Sequence, residues 1–236
     1  EKVGEIFPDA ARILQATGRG RELIRWSIFA GDNSELGLLK RATVELAGRL
    51  ANQEYDAVFS MIDQMNFDAQ GTVLEGFIKQ LTYGSKAHIE MALGRFEDFD
   101  QSYAIAMSNS EGPITFGIEE QIGLLRLAAM KSFILDETES VEALYEEARA
   151  LANKSKLPNN HLLLSSMNAM ALFQRGDYRR AFEAASVTYS QFTKRGYVGI
   201  YGPLDSMFII ARCHLEFARP REAFEVFGQI RNLGEQ

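Results

Sequence analysis

The stretch GRGREL, residues 18–23, opens like a phosphate loop, in which closely spaced glycines let backbone N–H groups face an anion. The third glycine of a dinucleotide fingerprint is missing, no strand pattern precedes the stretch and no βαβ pattern follows it. The glycines therefore read as a turn between helices. His88, His161 and His214 lie 73 and 53 residues apart, and none has a second histidine four residues on, the spacing that puts two imidazoles on one helix face around zinc. His88 and Glu90, two apart on a predicted helix, do not face each other. Cys213 and His214 are adjacent, about 100° apart around a helix, which disfavours a thiolate–imidazole pair. The adjacent carboxylates Glu119–Glu120 and Glu146–Glu147 point different ways and read as solvated faces. With a single cysteine, neither an internal disulfide nor a cysteine-based metal site is expected. The expectation is a chain without catalytic residues, metal or cofactor.

Composition points the same way. The 236 residues are 46% hydrophobic and 24% charged, ordinary for a globular protein with a substantial core. The net charge is −7, and basic residues cluster no more tightly than Arg19–Arg21 and Arg179–Arg180, which argues against direct nucleic-acid binding. No apolar run approaches the roughly 20 residues that span a bilayer, so no membrane partner is expected. One cysteine suits a reducing compartment, and a cytoplasmic location is expected. The first residue is glutamate rather than methionine, and an excised fragment of a longer protein is the expectation.

Strand patterns are scarce and helical ones abundant. Leu36, Leu39, Thr43, Leu46 and Leu50 fall on one stripe. Val141, Leu144, Tyr145, Ala148, Leu151 and Ala152 form another, with the glutamates mostly opposite. A repeat underlies these helices. Turn residues Gln53, Gly94, Gly176 and Ala218 are each followed, two positions on, by Tyr55, Phe96, Tyr178 or Pro220. Three further on come Val58, Phe99, Ala181 and Ala223, and in three copies phenylalanine follows directly, as Phe59, Phe182 and Phe224. Gln53 and Gly94 are 41 apart, Gly176 and Ala218 are 42 apart, and the 82 residues between Gly94 and Gly176 leave room for one more unit. That unit is read at ILDETESVEALYEEA, with its turn near Thr138 and Ala143–Leu144 at the small-then-large position. A sixth, poorer copy is read at ATGRGRELI with Gly18 at the turn. Glycine closes a helix because it tolerates a left-handed backbone, Asp177 can cap the next helix, and Pro220 has the φ of a first turn.

ALFQRGDYRRAFEAA, residues 171–185, resembles a tetratricopeptide-type repeat, and Ala169, Gly176, Asp177, Tyr178 and Ala181 match its pattern. Phe99 and Val58 stand where the pattern has alanine, and the period near 41 exceeds the common value of about 34. The long period is similar to the superhelical region of large bacterial ATP-binding regulators of the LuxR type, in which that region lies between a nucleotide-binding module and a helix-turn-helix domain. The resemblance runs from about Leu36 to Leu233. It implies an all-α fold, a right-handed superhelix (α-solenoid) of five to six antiparallel helix pairs over residues 36–236. Residues 1–35 read as a first helix pair or the tail of a preceding domain, with Trp26 and Phe29 packed on the Leu36 helix.

The resemblance also implies a concave surface lined by the first helix of each pair. Its inward positions fall on Lys40, Thr43 and Ala47; Leu81, His88 and Met91; Leu125, Ala128 and Ser132; Ser166, Met170 and Phe173; and Asp205, Phe208 and Arg212. Arg212 and Asp205, two turns apart on one face, could orient a polar partner, with an intramolecular ion pair or plain surface as the equal alternative. The implied role is the interaction or sensor arm of a larger transcriptional regulator. The bound partner would be a protein, a peptide segment, an effector or a flanking domain of the same chain. A stand-alone scaffold that takes a peptide or protein segment is the other reading, and neither fixes an oligomeric state.

Overall fold

A computed structural model describes residues 14, 19–29, 35–70, 75–108, 118–154, 159–196 and 203–234. Among these residues the regular elements are all helices: α1 (Gly20–Trp26), a 3₁₀ turn (Ser27–Phe29), α2 (Glu35–Ala51), α3 (Tyr55–Ala69), α4 (Glu75–Ala92), α5 (Phe96–Ser108), α6 (Ile118–Ile134), α7 (Thr138–Ala152), α8 (Asn159–Gln174), α9 (Tyr178–Lys194), α10 (Pro203–Glu216) and α11 (Pro220–Gly234). Helices α2 to α11 form five hairpins, each of two packed neighbours. Gly18 lies outside the described residues, as do residues 111–113, 157–158 and 201–202.

The hairpins share one closing device. Gln53, Gly94, Asp136, Gly176 and Ala218 have φ of 60°, 69°, 59°, 81° and 55°. In each turn the N–H after the left-handed residue donates to the carbonyl five positions back, as from Arg95 to Glu90 (2.8 Å), Asp177 to Leu172 (3.0 Å) and Arg219 to His214 (2.8 Å). The left-handed residue's own N–H donates three back, from Gln53 to Leu50 (3.1 Å) and from Gly176 to Phe173 (2.9 Å). This is the Schellman pattern, which satisfies carbonyls that a helix end leaves open. The Asp177 carboxylate also takes a hydrogen bond from the Arg180 N–H at 3.3 Å and caps α9, and α11 begins at Pro220, as the sequence predicts.

The third hairpin differs from its sequence reading. Its left-handed residue is Asp136, not a position near Thr138, and the buried position five residues on is Val141, while Ala143 is exposed. With that correction successive turns are 41, 42, 40 and 42 residues apart. The five equivalent positions, Val58, Phe99, Val141, Ala181 and Ala223, are all at most 1% exposed.

The chain divides into two compact units, 1–116 and 117–236. In the first, Leu46, Leu50, Val58, Ile62 and Ile89 join α2, α3 and α4 in one cluster, with Phe59 packed against it. Helix α1 meets α2 backbone to backbone: a Cβ at Gly20 would lie 2.3 Å from the Gly48 carbonyl oxygen and 2.4 Å from Asn52 Oδ1. Gly20, the described glycine of GRGREL, thus serves a close helix contact. Trp26, expected to pack on α2, is 45% exposed, and the Phe29 side chain lies outside the described set.

In the second unit each helix packs on the next, and the first helices of the hairpins also meet one another, α6 with α8 and α8 with α10. Ile122, Leu124, Leu125, Leu127, Ala128 and Ala129 of α6 are all buried. A helix apolar on every side belongs in an interior, and α6 is one. On α7, Val141, Ala148 and Ala152 are buried and Glu142, Glu146 and Glu147 exposed, which matches the predicted stripe.

Three of the five turns hold a side chain in a region that disfavours one by roughly 1–2 kcal/mol. Ala218→Gly is expected to raise stability by about 1 kcal/mol, and Gly176→Ala to lower it by about 1 kcal/mol, in urea titrations. Nothing lies within 4 Å of a Cβ built at Gly176, so its loss is purely a backbone effect. Equal stability of both variants and the parent would show that these turns are not left-handed in solution.

Candidate functional site

Of the fifteen inward positions, nine sit in the second unit, on α6, α8 and α10, and six in the first, on α2 and α4. His88 is half-buried, with Nδ1 3.0 Å from the Gly84 carbonyl oxygen of its own helix, and Met91 is half-buried near the end of α4. In the second unit Ser132, Ser166, Met170, Phe173 and Asp205 are all buried, and Phe208 is half-buried. The Arg212 side chain keeps 22% exposure. Phe173, Asp205, Phe208 and Arg212 all meet residues of α6.

The contacts are specific. Phe133 meets Phe173 edge to face at 5.2 Å between ring centres and Phe208 at 6.2 Å. The Arg212 guanidinium lies 4.7 Å from the centres of both the Phe133 and Phe173 rings. A cation between two aromatic faces gains from both quadrupoles. Arg212 also donates to the Phe133 carbonyl oxygen at 2.8 Å and to Asp136 Oδ1 at 2.7 Å. Below it Arg126 of α6 forms a buried ion pair with Asp205 of α10; the two side chains are 2% and 7% exposed.

Asp205 and Arg212 are thus on one helix as expected, but each takes its partner from α6. Both links, Arg126 to Asp205 and Phe133 to Arg212, span 79 residues, so α6 and α10 are matched in parallel over two turns of helix. Sequence reasoning did not single out Arg126, Phe133 or Asp136. The available signal was Arg126 itself, a lone charge inside the apolar run IGLLRLAAM. Ser166 and Ser206, both fully buried, have hydroxyls with no hydrogen-bond partner.

The residues first weighed for catalysis have structural surroundings. Cys213 is buried, and burial, with Glu216 adding and Arg212 opposing, pushes its thiol up to about 12. Such a thiol stays protonated at neutral pH and is a poor nucleophile. The His214 ring packs edge to face on Phe182 at 5.2 Å, and His161 is exposed. Among the described residues no three His, Cys, Asp or Glu side chains group as a metal site would. No described helix is long and apolar enough to cross a membrane.

A second buried charge lies in the first unit. Glu90 is 2% exposed, and burial holds its carboxyl above the usual range, opposed by a hydrogen bond to Ser102 and by Lys86, whose Nζ is 3.8 Å away.

Comparison of the chain with family models, curated proteins and solved structures returned no match.

Two measurements bear on these charges. Asp205→Leu leaves Arg126 buried opposite no carboxylate and is expected to cost about 3–5 kcal/mol, whereas Arg126→Met combined with Asp205→Leu is expected to cost less than the single change. A double variant at least as unstable as the single one would remove the pair from the account. The folded Glu90 carboxyl holds its proton more tightly than the unfolded one, so its contribution is lost as pH rises from about 4.3 through the raised value. Glu90→Gln should therefore match the parent near pH 4 and exceed it near pH 7, in melts across that range.

Proposed function

We propose that the chain is the protein-interaction and sensor arm of a larger bacterial transcriptional regulator, of the LuxR type it resembles. In this reading the hairpins follow one another as a right-handed, tetratricopeptide-like superhelix. The observation that carries it is the left-handed Schellman turn recurring every 40–42 residues through five hairpins. Single hairpins of this kind bury their apolar faces only by stacking, and stacks of them present long surfaces to other polypeptides. A helical or extended segment docking by apolar anchors suits the mixed apolar and polar first helices.

The surface in question is the α6–α8–α10 side of the second unit. Phe208 and Arg212 are the accessible members, and Arg212 already engages a carboxylate. An acidic group on a partner would compete with Asp136 for that guanidinium. A partner that binds only after this link opens shifts the packing of α10 on α6 by its difference in affinity for the two arrangements. That is the physical content of a sensor arm: the signal is a change in how helices pack, with no chemistry performed.

Two tests separate the parts of this reading. The coding sequence on either side should contain an ATP-binding module and a helix-turn-helix module, and absence of both rejects the regulator. For the surface, a partner captured with the purified chain and identified by mass spectrometry should bind Arg212→Ala and Phe208→Ala at least about tenfold more weakly, roughly 1.4 kcal/mol. Unchanged affinity in both variants rejects this side as the binding surface.

A further inference from the structure

Glu90 of α4 is buried against α5, and its Oε2 has no hydrogen-bond partner. Its carboxyl is hydrogen-bonded to Ser102 of α5, itself buried. The Lys86 Nζ stands 3.8 Å from Oε1, beyond hydrogen-bond range. The Arg95 N–H donates to the Glu90 carbonyl oxygen at 2.8 Å, so the turn holds this residue's backbone in place. Only the side chain is able to answer a change of charge. A neutral carboxyl tolerates an unpartnered oxygen in the interior far better than a carboxylate does. Burial accordingly holds the Glu90 carboxyl above the usual carboxylate range.

Two other hairpins show a second place for this side chain. Glu90 stands four residues before the left-handed Gly94, and Arg95 one after it. At the same two positions around Gln53, Arg49 and Glu54 form an ion pair at 3.0 Å. Around Asp136, the Ser132 hydroxyl donates to Glu137 at 3.0 Å. The left-handed turn thus brings these two side chains within reach of each other. At Gly94 they carry opposite charges, yet the carboxyl is turned to Ser102 and Arg95 is exposed. The charged groups that act on Glu90 are Lys86 on its own helix, Asp98 in the first turn of α5 and Arg95 between the two helices. Lys86 and Arg95 favour the ionised form, and Asp98 opposes it.

We infer that Glu90 is a proton-operated clasp between α4 and α5. With its proton, the side chain stays inside on Ser102 and holds the two helices together. Without it, the carboxylate turns outward to Arg95, in the arrangement that Arg49 and Glu54 already show, and α5 loosens on α4. The inside arrangement binds the proton more tightly than the outside one, so it is lost as pH rises through the raised value. This gives the first unit a pH input of its own. It does not depend on the regulator reading or on the surface formed by α6, α8 and α10.

The test is a carbon-detected NMR titration of the full 236-residue chain, with the Glu90 carboxyl assigned from Glu90→Gln. Beside it, amide exchange over α5 is measured at about pH 5 and about pH 8. The Glu90 midpoint should lie above about 4.3, and it should rise further in Arg95→Gln, which removes the outer partner. After correction for the intrinsic pH dependence of exchange, protection of α5 in the parent should fall several-fold at the higher pH. In Glu90→Gln, which keeps the inside arrangement without a charge, it should stay level. Protection of α9, in the second unit, should hold at both pH values, which separates opening of α5 from loss of the whole fold. A midpoint at or below about 4.3 overturns the inference, as does one that Arg95→Gln leaves unmoved. So does α5 protection that is equal at both pH values, or that falls only together with that of α9.

Discussion

Each hairpin turns on one residue forced into the left-handed region, and the positions of the other side chains follow from it. The turn ends the first helix with its last carbonyls satisfied and starts the second within two residues. From that origin the fifth residue on always points inward, whether it is Ala181 or the much larger Phe99. In the second unit the sixth always points to the next hairpin where one follows. The constraint is backbone geometry rather than side-chain identity, which is why glycine, glutamine, aspartate and alanine all fill the position. An intrinsic cost of roughly 1–2 kcal/mol at the non-glycine turns is small beside the burial it aligns, since one large buried side chain contributes about 1.5–3 kcal/mol.

Much of this was legible in the sequence. The helices at 35–51 and 138–152, the turns at Gln53, Gly94, Gly176 and Ala218, the Asp177 cap and the Pro220 start all follow from local rules that act within a few residues. The third turn was misplaced because Asp136 carries none of the usual marks. Neither glycine nor an aromatic two positions on flags it, and Ala143–Leu144 imitates the small-then-large pair. Its true partner at the buried position, Val141, is legible only once the left-handed residue is known.

The contacts among the candidate surface residues were much less legible, and for a physical reason. Asp205 and Arg212 were placed correctly on one helix face, since that needs only the helical period. Which groups meet them depends on α6, 79 residues earlier, and no local pattern encodes a match across two hairpins. The burial of Phe173 likewise depends on Phe133 of α6, one hairpin earlier. An inward position in a helical stack is a position toward neighbouring first helices. Whether it faces solvent or another side chain depends on how tightly those helices approach.

Asp136 joins the two levels. It is the left-handed residue of its turn and also the carboxylate that holds Arg212. Glycine would fit that backbone with less strain, as it does at Gly94 and Gly176, but glycine has no group to offer the guanidinium. Aspartate is among the few side chains that tolerate the left-handed region and carry a charge on a short stem. The turn that sets the geometry of the α6–α7 hairpin thereby also fixes where α10 can be latched. A partner that draws Arg212 away from Asp136 would loosen a contact between α10 and the very residue on which that hairpin turns. The left-handed backbone of the turn and the long-range link to Arg212 thus meet in one residue.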